Sequence, residues 1–200
     1  VIDQPLVTLK NAAISPTISL LNSGVDIDPS AVRITSYYGH GYTYYSMSSD
    51  QKWHQNVLDV NTQNGYPSHQ NTGAGTTNGS YWNATVVIAA DGFEAEDIIF
   101  ENSFNQYISN KESQDIVVAW TNGSLGNRPT NAGNTTVQNR SYVERAAAIA
   151  IKNNVQKVIL NKCRVVGRQD SFYGGTGARV AVYKGEIMGA VDYIFGAMDV

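Results

Sequence analysis

Two aspartates occupy the same place in a pattern that the chain uses twice. Gly167-Arg168-Gln169-Asp170 is followed by Ser171-Phe172-Tyr173, and Gly189-Ala190-Val191-Asp192 is followed by Tyr193-Ile194-Phe195. The step from Gly167 to Gly189 is 22 residues, and so is the step from Asp170 to Asp192. A repeat of that period with strand composition is a solenoid signature. If each copy is one coil of a parallel β-solenoid, residues in register stack one strand spacing apart, about 4.8 Å. Asp170 and Asp192 are then neighbours on one face. Two carboxylates that close cannot both ionise freely. One pKa rises and the other falls, which separates an acid from a nucleophile or base. The plainer reading makes both residues turn formers, because Gly-x-x-Asp is common turn chemistry. The repetition, and the aromatic and apolar residues after each aspartate, favour a site.

The elements around this pair read as short strands. From Ala147 to Val182 the pattern is short strand, turn, short strand, which fits about three strands per coil with stacked apolar residues inside. Ala146–Ile151 (AAAIAI) has helical propensity. It reads as a strand because Asn153-Asn154 and a strand at Val158–Leu160 follow at the offset seen in the preceding coil. In that coil, Thr85–Ala89 and Asp97–Phe100 are strand-like, with a turn at Asp91-Gly92. Leu6–Leu9 reads as a short strand after Pro5, and Asn11–Ser30 as a loop. Ala31–Met47 begins as a strand. Tyr38, His40, Tyr42 and Tyr44 then alternate with small or polar residues, which puts them on one face. That row either stacks on sugars or packs as an aromatic ladder. Residues 48–79 and 103–143 are long surface excursions, longer than ordinary connections, and suit a lid or a groove wall. The fold class expected is all-β, a parallel β-helix forming one domain over residues 1–200.

Composition bounds the partners. Apolar residues make up 42% and charged residues 16%, so the chain is globular. The net charge is −3 with no Lys/Arg block, which argues against nucleic acid as the main partner but leaves room for a local basic groove. No apolar run approaches the ~18 residues of a membrane span. The single cysteine, Cys163, lies in the apolar run Val158–Val166 and is expected in the core. His40, His54 and His69 have no metal-ligand spacing, so no metal and no cofactor are expected.

The motifs resemble those of a known family. GRQDSFY is similar to the G-x-Q-D-T-L-Y motif of pectin methylesterases, and GAVDYIFG to their G-x-V-D-F-I-F-G. Ala84–Asn102 (ATVVIAADGFEAEDIIFEN) resembles the family's A-T-V-x-V-x-G-D-G-F-x-A-R-D-I-T-F-E-N. Val1–Leu9 (VIDQPLVTL) is similar to a segment that in the family follows the first coil, so the domain is expected to be incomplete at both ends. The resemblance implies a right-handed β-helix and a secreted carboxylic ester hydrolase. Its substrate would be pectin, from whose galacturonate units it removes methyl esters. It assigns Asp192 as nucleophile, Asp170 as proton donor and then base, and Gln169 as an amide donor to the oxyanion. Tyr173, Val191 and Phe195 match positions lining the family's sugar groove, although they suit a core as well.

Two departures stand out. The family carries a second oxyanion glutamine 22 residues before the first, and counting back from Gln169 reaches Ala147. The family's L-G-R-P-W arginine falls beyond the position of Val200, since Arg128-Pro129 comes far too early. The piece as it stands is therefore expected to be inactive. The alternatives are a glycosidase using the same aspartates and a non-catalytic β-helix that binds carbohydrate.

Overall fold

In the computed structural model, residues 1–13, 28–37, 84–104, 106–114, 131–136 and 146–200 are described. They form twelve short strands in four successive coils. The first coil holds β1 (Thr8–Lys10), β2 (Val32–Ser36) and β3 (Val86–Ile88). The second holds β4 (Glu94–Glu96), β5 (Ile98–Asn102) and β6 (Ile149–Ile151), with one short helix, α1 (Asn110–Gln114), between the last two. The third holds β7 (Val158–Asn161), β8 (Arg164–Val166) and β9 (Phe172–Gly174). The fourth holds β10 (Val180–Tyr183), β11 (Glu186–Met188) and β12 (Ile194–Gly196).

Every third strand pairs, and all pairs are parallel. The sheets run β1-β4-β7-β10, β2-β5-β8-β11 and β3-β6-β9-β12. This is the expected parallel β-helix. Strands of three to five residues suffice because each is hydrogen-bonded to the coil above or below rather than to a sequence neighbour.

Alternation within each strand sends one row inward. Leu9, Ala95, Leu160 and Val182 stack on the first face, and Ile34, Phe100, Val165 and Ile187 on the second. Val86, Ile149 and Phe172 do so on the third. Each fully buried side chain of this size contributes about 1.5–3 kcal/mol. Cys163 belongs to this core, and burial pushes its thiol up to about 11. It stays protonated at neutral pH and is no thiolate nucleophile.

Three details differ from the sequence reading. Leu6 lies outside the first strand: it has φ 59° and is exposed, with its N–H bonded to the Asp91 carbonyl at 2.9 Å. The turn begun at Pro5 thus runs two residues further. The strand at Glu94–Glu96 was not expected, since it buries only Ala95 and leaves its glutamates outward. Ala146–Ala148 precede the strand in AAAIAI rather than belonging to it. The row Tyr38–Tyr44 and all three histidines lie outside the described residues.

The connections between the second and third sheets all occupy one corner of the helix. In the first coil that connection is residues 37–85, and in the second it is residues 103–148. In the third and fourth coils it is only 167–171 and 189–193. The two long excursions therefore leave from the corner at which the two Gly-x-x-Asp motifs turn.

The root of the second excursion is held on the outer face of the second sheet. Glu101 on β5 accepts hydrogen bonds from Thr35 at 2.7 Å and from the Tyr107 hydroxyl, and Arg33 lies 3.6 Å from it. Glu101 is 1% exposed, so its charge is stabilised by these three partners. Burial and the Glu101 carboxylate push the Tyr107 phenol well above its ordinary pKa, so it remains a donor. Residue 108 exchanges backbone hydrogen bonds with Asn134 and Gly133 at 3.0 and 2.8 Å, closing the base of the loop.

Candidate active site

The two motif copies are stitched together by backbone. Gln169 and Val191 form a parallel bridge, and the Asp170 N–H donates to the Val191 carbonyl at 3.1 Å. The Phe172 N–H donates to the Tyr193 carbonyl at 2.9 Å, and the Arg168 carbonyl accepts from Ala190 at 2.7 Å. The strands that follow pair as Ile194 with Phe172 and Phe195 with Tyr173, an offset of 22. Asp170 and Asp192 are therefore equivalent positions of adjacent coils, about one strand spacing (~4.8 Å) apart along the backbone.

Both aspartates have left-handed backbone, φ 57° at Asp170 and 44° at Asp192. Only Gly, Asn and Asp visit this region readily, because a short polar side chain relieves the clash with the following carbonyl. The residue type thus satisfies the turn and also supplies a carboxylate. Asp170 is 4% exposed and Gln169 is 7% exposed, whereas Asp192 is open to solvent. Asp192 lies in the fourth coil, which in this piece packs on one side only, and its exposure reflects that.

The glycine that opens each motif is required by the turn. The chain folds back so tightly that a Cβ on Gly167 would lie 2.9 Å from the Ser171 Cβ and 3.1 Å from its Cα. One on Gly189 would strike Tyr193 and come within 2.8 Å of the Ser171 hydroxyl. Ser171 is fully buried between the two turns, and its hydroxyl has no hydrogen-bond partner among the described residues. Its side chain therefore acts as a spacer between the coils. Gly167→Ala is expected to destabilise the protein by about 1–3 kcal/mol, as overpacking does. Chemical denaturation would show it as a lower midpoint, and an unaltered midpoint would contradict this account of the turn.

Tyr173 and Phe195 stack on each other, with ring centroids 4.7 Å apart and planes tilted by 51°. They lie on the outer face of the third sheet, opposite Phe172, which is in the core. Tyr173 continues an outward row through Ala150 and Val87. Val191 is 47% exposed in the second turn. All six residues singled out in the sequence thus come to one corner and the sheet face beside it.

The coil above is one residue longer than the repeat. Strand β6 pairs with β9 at an offset of 23, as Ile149 with Phe172, and the Ala146 N–H donates to the Gln169 carbonyl at 3.1 Å. Before β6 the register shifts by one more residue, because Ala148 and Ile149 both donate to the Ser171 carbonyl. Ala147 therefore does not stand in register with Gln169, and it offers no carboxamide in any case. Gln156 does not replace it. Its amide donates to the carbonyls of Asn154 and Gly177, in the turns between the third and first sheets. Arg128 lies outside the described residues.

No curated protein matches the chain. Among solved structures it is similar to a pectin methylesterase from Yersinia enterocolitica, with 20% identity and a TM-score of 0.49. The alignment covers 98% of this chain and 47% of that one, so the chain spans about half its length. Residues 125–200, which contain Gln169 and both aspartate turns, match the Pectinesterase family model as a partial domain.

Proposed function

We propose that the protein is a carboxylic ester hydrolase that removes methyl esters from galacturonate units of pectin, outside the cell. The observation that carries this reading is the in-register stacking of the Asp170 and Asp192 turns within the segment that matches the Pectinesterase family.

In this reading Asp192 attacks the carboxymethyl carbon. The carbonyl π electrons move onto oxygen, and the Gln169 amide donates to that oxyanion. Collapse breaks the bond to methoxide oxygen, which takes the proton of Asp170 and leaves as methanol. An anhydride now joins Asp192 to the galacturonate. Asp170, ionised, removes a proton from water as the water attacks that carbonyl. The products are the free galacturonate acid group and Asp192 as carboxylate, with Asp170 protonated again.

Tyr173 and Phe195 offer an aromatic platform to sugar rings; segment 48–79 and most of 103–143, expected as excursions beside it, lie outside the described residues. Methylated pectin incubated with a form of the protein that carries the expected arginine should release methanol and lower the pH. Reducing sugar ends without methanol would replace this reading by a glycosidase. Binding without either product would replace it by a carbohydrate-binding β-helix.

A further inference from the structure

Resting on that reading, we propose that Arg168 is a specificity-determining residue that holds the free carboxylate of a de-esterified galacturonate unit next to the ester being cleaved.

Four arginines are described, and three of them have an acid partner. Arg33 lies 3.6 Å from Glu101, Arg164 2.9 Å from Glu186, and Arg179 3.6 Å from Asp199. Arg168 has no ion pair or side-chain hydrogen bond among the described residues, although two aspartates share its corner. It is half-buried, so its guanidinium is partly stripped of water without a compensating anion.

Its backbone leaves it little freedom to move away. The Arg168 carbonyl accepts hydrogen bonds from both Ala190 and Val191, at 2.7 and 3.2 Å. The bridge of Gln169 with Val191 sets Arg168 beside Ala190. The backbone of Arg168 thus stands in the same turn as Gln169 and Asp170.

The chemistry of the substrate supplies the missing anion. Each turnover converts a neutral ester into a carboxylate, so a partly processed chain carries negative charge next to remaining esters. A guanidinium fork matches a carboxylate in two parallel hydrogen bonds. The net charge of −3 repels a polyanion at long range, and a local cation at the corner offsets this where the chain must dock. The enzyme would then prefer an ester beside an already de-esterified unit and extend blocks of free acid.

The test compares the wild type with Arg168→Gln and Arg168→Lys on galacturonate oligomers, fully methylated and about half de-esterified. For Arg168→Gln, the ratio of kcat/KM between the half de-esterified and the fully methylated oligomer should fall about tenfold or more, mainly through KM. Lysine should restore part of it, since it keeps the charge but loses the fork. A parallel titration with fully de-esterified oligogalacturonate should show Kd raised about tenfold by Arg168→Gln, with a shallower dependence on salt. An unaltered ratio together with an unaltered Kd would overturn the proposal. If a wild type that carries the expected arginine releases no methanol, the esterase reading fails, and the titration alone still decides whether Arg168 binds uronate carboxylates.

Discussion

In a form of the protein that carries the expected arginine, Asp192→Asn is expected to reduce methanol release by about 10⁴-fold or more, the scale on which removal of a hydrolase nucleophile acts. The substitution is almost isosteric. Asn tolerates left-handed backbone as well as Asp does, so the φ of 44° at this position brings no strain. The expected loss is therefore chemical: a carboxamide cannot form the anhydride. Binding of de-esterified oligogalacturonate and the unfolding midpoint should stay near wild type. Full activity in Asp192→Asn would return both aspartates to the role of turn formers.

Asp170→Asn should also be severe, by roughly 10²–10⁴-fold, the range typical of general acid–base catalysis. Its signature is different. Methoxide is a poor leaving group and needs a proton as it departs. An ester of a more acidic alcohol does not need that proton to the same degree. The loss on trifluoroethyl or aryl esters of galacturonate should therefore be markedly smaller than on the methyl ester, as long as the first step limits the rate. An equal loss on all esters would show that Asp170 acts in some other way, for example by holding the turn. Asp170 has φ 57°, so asparagine again fits the backbone, and the fold should tolerate the change.

Much of the candidate site was legible because its repeat is short. The interval between the two motifs contains β9, β10 and β11 and no excursion, so an offset of 22 in sequence becomes an offset of one coil in space. The coil above was harder to read. It encloses the connection 103–148, which erases any fixed period, and its final register is 23. That shift, and a further one where Ala148 and Ile149 share the Ser171 carbonyl, take Ala147 out of register with Gln169. The strand Glu94–Glu96 was missed for another reason. It is three residues long, and only Ala95 faces the core, so no apolar alternation marks it. Its neighbours Leu9 and Leu160 are strand-like, and they impose the conformation through pairing.

By itself, the sequence determined the class of fold and the chemical types at the candidate site. Short apolar runs between turn residues allow few structures other than a solenoid. Gly167 and Gly189 mark turns too tight for a Cβ, and Asp170 and Asp192 are residue types that accept the backbone those turns require. Tertiary structure alone decided which face each group takes and which groups meet. Pairing between coils set Phe172 in the core and Tyr173 against Phe195 outside it. It also brought both long excursions out at the corner of the two aspartates, while Arg168 remained there without an acid partner among the described residues. The physical reason is that these properties depend on contacts between residues one coil apart. Such contacts follow from hydrogen-bond register and packing, and the local pattern of side chains does not encode them.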